Sequence, residues 1–198
     1  MNCVRTHFSI LLFLLFSSQV NAQEKGTHEL YAGIGLLTTN YVYSLGSSII
    51  LDGYSSSSHL SYGNERNIPA FGLGYKLAVA DRWTVGIAGY FESDQSEVYY
   101  DDMRDGTMRH SYFTIGLGTD YHYISRKWFQ MYSGLEVACT IGGITYDGVN
   151  DEIHESKYRY FNFQLEALGF RFGKTFAFFT EFGFGYKGVI HAGLSLQL

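Results

Sequence analysis

Along most of this chain, bulky apolar residues alternate with small or charged ones at a period of two. Over the segment 175–186, Phe176, Phe178, Thr180, Phe182, Phe184 and Tyr186 fall on one side of an extended strand, and Ala177, Phe179, Glu181, Gly183 and Gly185 on the other. The next segment repeats the split: Ile190, Ala192, Leu194, Leu196 and Leu198 oppose Val189, His191, Gly193, Ser195 and Gln197. Upstream, Phe129, Met131, Leu135, Val137, Cys139 and Ile141 oppose Gln130, Gly134, Glu136 and Thr140. In the same way Phe113, Ile115, Leu117 and Tyr121 oppose Gly116, Gly118, Asp120 and His122. Such a pattern excludes helices as the main element and predicts strands with two unlike faces.

Turn residues divide the pattern into eight strands, predicted at about 29–39, 68–79, 83–94, 110–123, 128–146, 157–172, 175–186 and 189–198. The connections alternate in length. Long ones (40–67, 95–109, 147–156) take turns with short ones (80–82, 124–127, 173–174), and only Lys187-Gly188 is short where a long one is due. Within the first long connection, Val42, Leu45 and Ile49 recur at helical spacing behind a threonine cap, so a short helix is expected over Thr39 to Leu51. The stretch Tyr54 to Asn67 is serine-rich and reads as an exposed loop.

The glycines orient the two faces. Gly72, Gly74, Gly86, Gly116, Gly118, Gly183, Gly185 and Gly193 share the face that carries the charges, and small residues belong in the tight interior of a narrow barrel. The aromatic face then points outward, where in water it would be an aggregation surface. Hydrocarbon accepts it, provided the sheet closes and leaves no unpaired edge. The 17 Tyr, 16 Phe, 23 Gly and single proline, at a mean hydropathy of −0.06, fit strands that alternate between two environments. The fold class is therefore all-β: a closed antiparallel up-and-down transmembrane β-barrel of about eight strands, with a short helix in the first outer loop. A soluble ligand-binding barrel would alternate as well, with its apolar face inside.

Residues 1–22 read as a cleaved signal peptide. Arg5 and His7 precede an apolar run from Ile10 to Phe16, and Val20-Asn21-Ala22 supplies the small residues of a cleavage site. The barrel domain is then 23–198. Cleavage removes Arg5 and Cys3 and no acidic residue, so the mature chain is more acidic than the full chain's formal −5 and retains Cys139 alone. An acidic exported chain is a poor nucleic-acid binder, and one cysteine forms no intrachain disulfide.

The segment Phe71-Gly-Leu-Gly-Tyr-Lys-Leu-Ala-Val-Ala-Asp-Arg-Trp-Thr-Val-Gly resembles the second and third strands of the small outer membrane protein β-barrel domain family. The ending Phe179-Thr-Glu-Phe-Gly-Phe-Gly-Tyr-Lys-Gly-Val-Ile-His-Ala-Gly-Leu-Ser-Leu-Gln-Leu is similar to its last hairpin, and the architecture is similar to OmpX and the OmpA barrel. The resemblance would cover residues 28–198 and implies a bacterial outer-membrane location, with no activity attached. Barrels of that family usually end on an aromatic residue, whereas this chain ends on Leu198.

Lys76, Glu92, Asp120, His122, Glu136, Glu166, Glu181 and His191 are expected to form a lumenal polar network. With a single lysine among them, the network needs further cations, and Arg159 and Arg171 are the candidates. Trp83, Tyr121, Tyr123 and Trp128 near the short turns, and Tyr146, Tyr158 and Tyr186 near the loops, are expected to form aromatic girdles. Glu181, His191 and Ser195 invite a catalytic reading. Along a strand, however, Ser195 and His191 stand about 13 Å apart at ~3.3 Å per residue, beyond hydrogen-bond reach. Asp101, Asp102 and Asp105, and Asp147, Asp151, Glu152 and Glu155, form acidic loops whose spacing matches no calcium motif, and no histidine pair suggests zinc.

No cofactor is expected. The anticipated partners are outer-membrane lipid and an extracellular molecule met through the loops. The role expected is a non-enzymatic one in envelope structure or surface interaction. A lipid-modifying esterase or acyltransferase and a small-solute pore are the alternatives, though eight strands leave an interior that side chains nearly fill.

Overall fold

The computed structural model describes residues 25–42, 60–100, 103–148 and 153–198. Eight strands follow one another: β1 (His28–Leu36), β2 (Leu60–Ala80), β3 (Trp83–Tyr100), β4 (Met103–Ser125), β5 (Phe129–Gly148), β6 (Ile153–Gly173), β7 (Phe176–Gly185) and β8 (Ile190–Gln197). Each pairs antiparallel with its neighbours in sequence, and β1 pairs with β8 to close the barrel. Closure leaves no backbone edge within the ring. Inward-facing glycines sit where the ring is tight: a Cβ at Gly33 would strike the His191 ring, and one at Gly116 would strike Tyr186.

Strand lengths divide the molecule. β1, β7 and β8 have 9, 10 and 8 residues, close to the roughly 9–11 that cross a bilayer. β2 to β6 have 18 to 23 residues and continue well past them on the long-connection side. The stretches 95–109 and 147–156, expected as loops, are therefore mostly ladder. β3 and β4 pair as far as Tyr100↔Met103, and β5 and β6 as far as Asp147↔Ile153. Beyond the apolar belt both faces are polar, so the alternation that marks a half-buried strand disappears while the backbone pairing continues.

Similarly, the stretch Leu60 to Asn67, expected as an exposed loop, is the outer half of β2. There the chain's one proline, Pro69, lies inside the bulge between Ile68 and Phe71, where its missing N–H costs no ladder bond. Among the described residues, β2 before Ala70 and β6 before Phe163 have a backbone partner on one side only. β2 to β6 thus form an open five-stranded sheet that stands above the closed ring.

β1 ends at Leu36, earlier than the expected Thr39. Leu37 takes a left-handed conformation (φ 57°), and Thr38 turns inward to cap a helical turn. The Thr38 Oγ1 accepts from the Tyr41 N–H at 3.0 Å, and the Val42 N–H donates to the Thr38 carbonyl at 3.0 Å. The remainder of the expected helix, with Leu45 and Ile49, and the signal-peptide region 1–22 lie outside the described residues.

The outward face of the ring is a predominantly apolar belt. Leu73, Leu117, Phe161, Phe176 and Leu194 are 59–79% exposed on it, and no outward residue between the short turns and Phe113 on β4 or Phe161 on β6 is charged. On β4 the same face then runs through Ser111 to an exposed Arg109. Trp83, Tyr121, Tyr123 and Trp128 ring the short-turn end, all facing outward. Among the described residues no helix is long and apolar enough to cross a membrane; this chain presents its apolar surface on strands.

Candidate functional site

The charged side chains converge inside the barrel in three layers. Lys76, Glu92, Asp120, His122, Glu136, Glu166, Glu181 and His191 all point into the lumen and are at most 7% exposed. Two lysines organise the middle layer. Lys76 Nζ lies 2.7 Å from Asp120 Oδ2 and 3.6 Å from Glu181 Oε1. Lys187 Nζ lies 2.6 Å from Glu136 Oε1 and 2.7 Å from Glu166 Oε1. Tyrosines fill the spaces: the Tyr132 hydroxyl donates to Glu181 Oε1 at 2.7 Å, and that of Tyr186 donates to Glu136 Oε2. Tyr31 stands edge-on to Phe179, with both lysine ammoniums near its ring.

Arg171 holds the layer nearest the short turns. Its Nε donates to Glu29 Oε1 at 3.1 Å and to Ser195 Oγ at 2.8 Å, and its Nη2 donates to the Lys174 carbonyl at 2.8 Å. Of the two arginines proposed as extra cations, Arg171 is buried in the lumen and Arg159 is exposed on β6. At the opposite end, Glu92 accepts from Thr38 Oγ1 (2.5 Å) and Asn40 Nδ2 (3.0 Å). Asn40 in turn accepts from Tyr160 (2.7 Å) and Asn162 (2.9 Å), so the start of the first long connection is tied across the outer mouth.

Lys187, the cation that sequence reasoning missed, comes from the short connection between β7 and β8. Gly185 (φ 146°) and Gly188 (φ 99°) let that connection fold back over the ring and carry Tyr186 and Lys187 inward. Gly185 and Gly188 flanking Tyr186-Lys187 was the available signal.

Three of the expected girdle residues belong elsewhere. Tyr186 is fully buried in the lumen. Tyr158 is on the inner face of β6, stacked on Tyr160, because that face continues unbroken from Asn162. Tyr146, on the inner-facing side of β5 where the ladder has left the belt, donates to Asp105 Oδ2 at 2.5 Å. Also above the belt, Tyr99 donates to Glu97 Oε2 at 2.8 Å, which holds its phenol above the ordinary tyrosine value.

The chemistry of this arrangement is structural pairing. His191 Nδ1 lies 2.6 Å from Glu181 Oε2, and its Nε2 lies 2.7 Å from the Tyr90 hydroxyl. Ser195 Oγ is engaged by Arg171, so serine and histidine form no nucleophile–base pair. His122 stacks on Tyr132 at 4.8 Å, with neither ring nitrogen bonded among the described residues. No group of three or more His, Cys, Asp or Glu among the described residues is placed to hold a metal ion. Of the acidic stretches weighed as a calcium site, Asp101, Asp102, Asp151 and Glu152 lie outside the described residues, while Asp105, Asp147 and Glu155 are exposed.

No protein-family model matches the chain, and no curated protein does. Among solved structures it is similar to the N-terminal β-barrel domain of Pseudomonas aeruginosa OprF, with 12% identity, a TM-score of 0.41, and coverage of 89% of this chain and 100% of that one. It is also similar to the outer membrane protein OprG from the same organism, with 11% identity, a TM-score of 0.41, and coverage of 89% and 98%. The closed eight-stranded ring described above rests on its own strand pairing.

Proposed function

We propose that the chain is an integral protein of the bacterial outer membrane, non-enzymatic, with an envelope-structural or surface-interaction role exercised by the part that stands outside the bilayer. The observation that carries the reading is the opposition of faces: a belt of exposed Leu, Ile, Val and Phe without a charge around a lumen holding Lys76, Lys187, Arg171 and their carboxylates. A water-soluble barrel would reverse them. The short turns face the periplasm and the long strands the exterior, as outer-membrane barrels are built. The five-stranded extension, with one-sided edges at β2 and β6, supplies a surface for an extracellular partner, since unpaired strand edges accept further strands.

The test is to shorten the β3–β4 and β5–β6 ribbons to the level of Phe113 and Phe161 and compare whole cells carrying the full-length or trimmed protein. The surface role predicts that adhesion to proteinaceous surfaces falls while the barrel still inserts. Unchanged adhesion with increased detergent sensitivity would assign the envelope role instead. Lipid hydrolysis by purified protein, abolished by Ser195→Ala or His191→Ala, would overturn the non-enzymatic reading.

A further inference from the structure

The short-turn end of the barrel carries a cleft of about 390 Å³, assembled from four separate points of the chain. Thr27 precedes β1, Lys127 lies in the β4–β5 turn, Lys174 and Thr175 in the β6–β7 turn, and Gln197 and Leu198 at the end of β8. Both lysines are exposed, and neither makes an ion pair among the described residues. The ammonium of Lys174 sits 4.9 Å from the centre of the Trp128 ring, which fixes its position beside the cleft. The backbone carrying it is fixed as well, because buried Arg171 donates to the carbonyls of Gly173, Lys174 and Thr175.

Charge around this end is one-sided. Among the described residues, Lys25, Arg82, Arg126, Lys127 and Lys174 stand there against Asp81 and Glu29, and Glu29 is already paired with buried Arg171. The cleft also has a defined depth. Trp128, 65% exposed, belongs to the outward aromatic ring with Trp83, Tyr121 and Tyr123, the residues that settle at a headgroup boundary. Lys127 is adjacent to it in sequence, and Lys174 is in contact with it. Two cations at that depth, lining one cleft, match a phosphate esterified to a lipid.

We propose that this cleft binds the phosphate of an anionic phospholipid headgroup from the periplasmic leaflet, seated between Lys127 and Lys174. The proposal rests on the membrane reading above and adds a specific lipid site to it.

The chain has two tryptophans, so Trp83→Phe leaves Trp128 as the sole indole reporter beside the cleft. Purified Trp83→Phe protein in uncharged maltoside micelles is titrated with dihexanoyl phosphatidylglycerol, dihexanoyl phosphatidylcholine and inorganic phosphate. The expected result is a saturable change in Trp128 fluorescence with phosphatidylglycerol, weaker with phosphatidylcholine. Adding Lys127→Ala and Lys174→Ala should weaken the phosphatidylglycerol response at least about tenfold. Adding Lys127→Glu and Lys174→Glu should abolish it.

Phosphatidylglycerol binding that survives the double alanine change would overturn the site. An equal response to inorganic phosphate, lost in the same variant, would overturn the lipid as its source. The heat-dependent gel shift of the same samples tests the barrel itself, so failure of the fold and failure of the cleft are read separately.

Discussion

Lys187, from the turn between β7 and β8, places its ammonium 2.6 Å from Glu136 Oε1 on β5, across the closed interior of the barrel. The same nitrogen is 2.7 Å from Glu166 Oε1, and neither partner is open to solvent. Removing one member of such a set leaves uncompensated buried charge. Lys187→Met should therefore cost about 3–5 kcal/mol in urea unfolding from lipid vesicles. Adding Glu136→Gln and Glu166→Gln to it should recover more than half of the loss. A Lys187→Met protein that unfolds at the wild-type urea concentration would show that the pair contributes nothing.

The outward belt gives a second prediction. Leu117 on β4 is 59% exposed among apolar neighbours, whereas Arg109, on the same face of the same strand, stands beyond the belt. Leu117→Arg should destabilise the inserted barrel by about 2–4 kcal/mol. Arg109→Leu should change unfolding by less than about 0.5 kcal/mol, as surface substitutions do. Equal effects at the two positions would remove the boundary drawn between Phe113 and Arg109.

Among the described residues, the one cysteine reads the same boundary by chemistry. Cys139 is exposed on the outward face of β5, level with Ile115 and Phe161 on its neighbours. In vesicles it should resist a charged, water-soluble maleimide and react with an apolar one; in urea both should label it. Rapid labelling of the inserted protein by the charged reagent would place Cys139 in water.

The lumen gives a steric prediction. Gly33 on β1 and Gly193 on β8 are paired in register, and a side chain at Gly33 would occupy the His191 ring. Gly33→Val should displace His191 from Glu181 and Tyr90 and destabilise the barrel by roughly 1–3 kcal/mol, the usual cost of overpacking. Ala32→Val, the outward neighbour, should be tolerated in the same unfolding assay.

Much of this arrangement is legible in the sequence, because a strand buried on one face writes that face into every second residue. Glu181 and His191 stand on adjacent strands with matching parity, and they meet at 2.6 Å. What escapes the pattern escapes for identifiable reasons. The bulge between Glu166 and Leu168 shifts the parity of β6, which brings Arg171 to the same face as Glu166 although they differ by an odd number of residues. Tyr186 and Lys187 leave strand geometry altogether at Gly185. The outer halves of β3 to β6 carry polar residues on both faces, so nothing in their hydropathy separates a paired ribbon from a loop.

The central claim is that this ring is closed and lies in a bilayer with its charges inside. Its most direct test is electrophoresis of the protein extracted from purified outer membranes, comparing boiled with unboiled samples. The account predicts a compact, faster-migrating unboiled band in the outer-membrane fraction that shifts to slower mobility on boiling. A soluble periplasmic protein whose mobility does not change on boiling would contradict it.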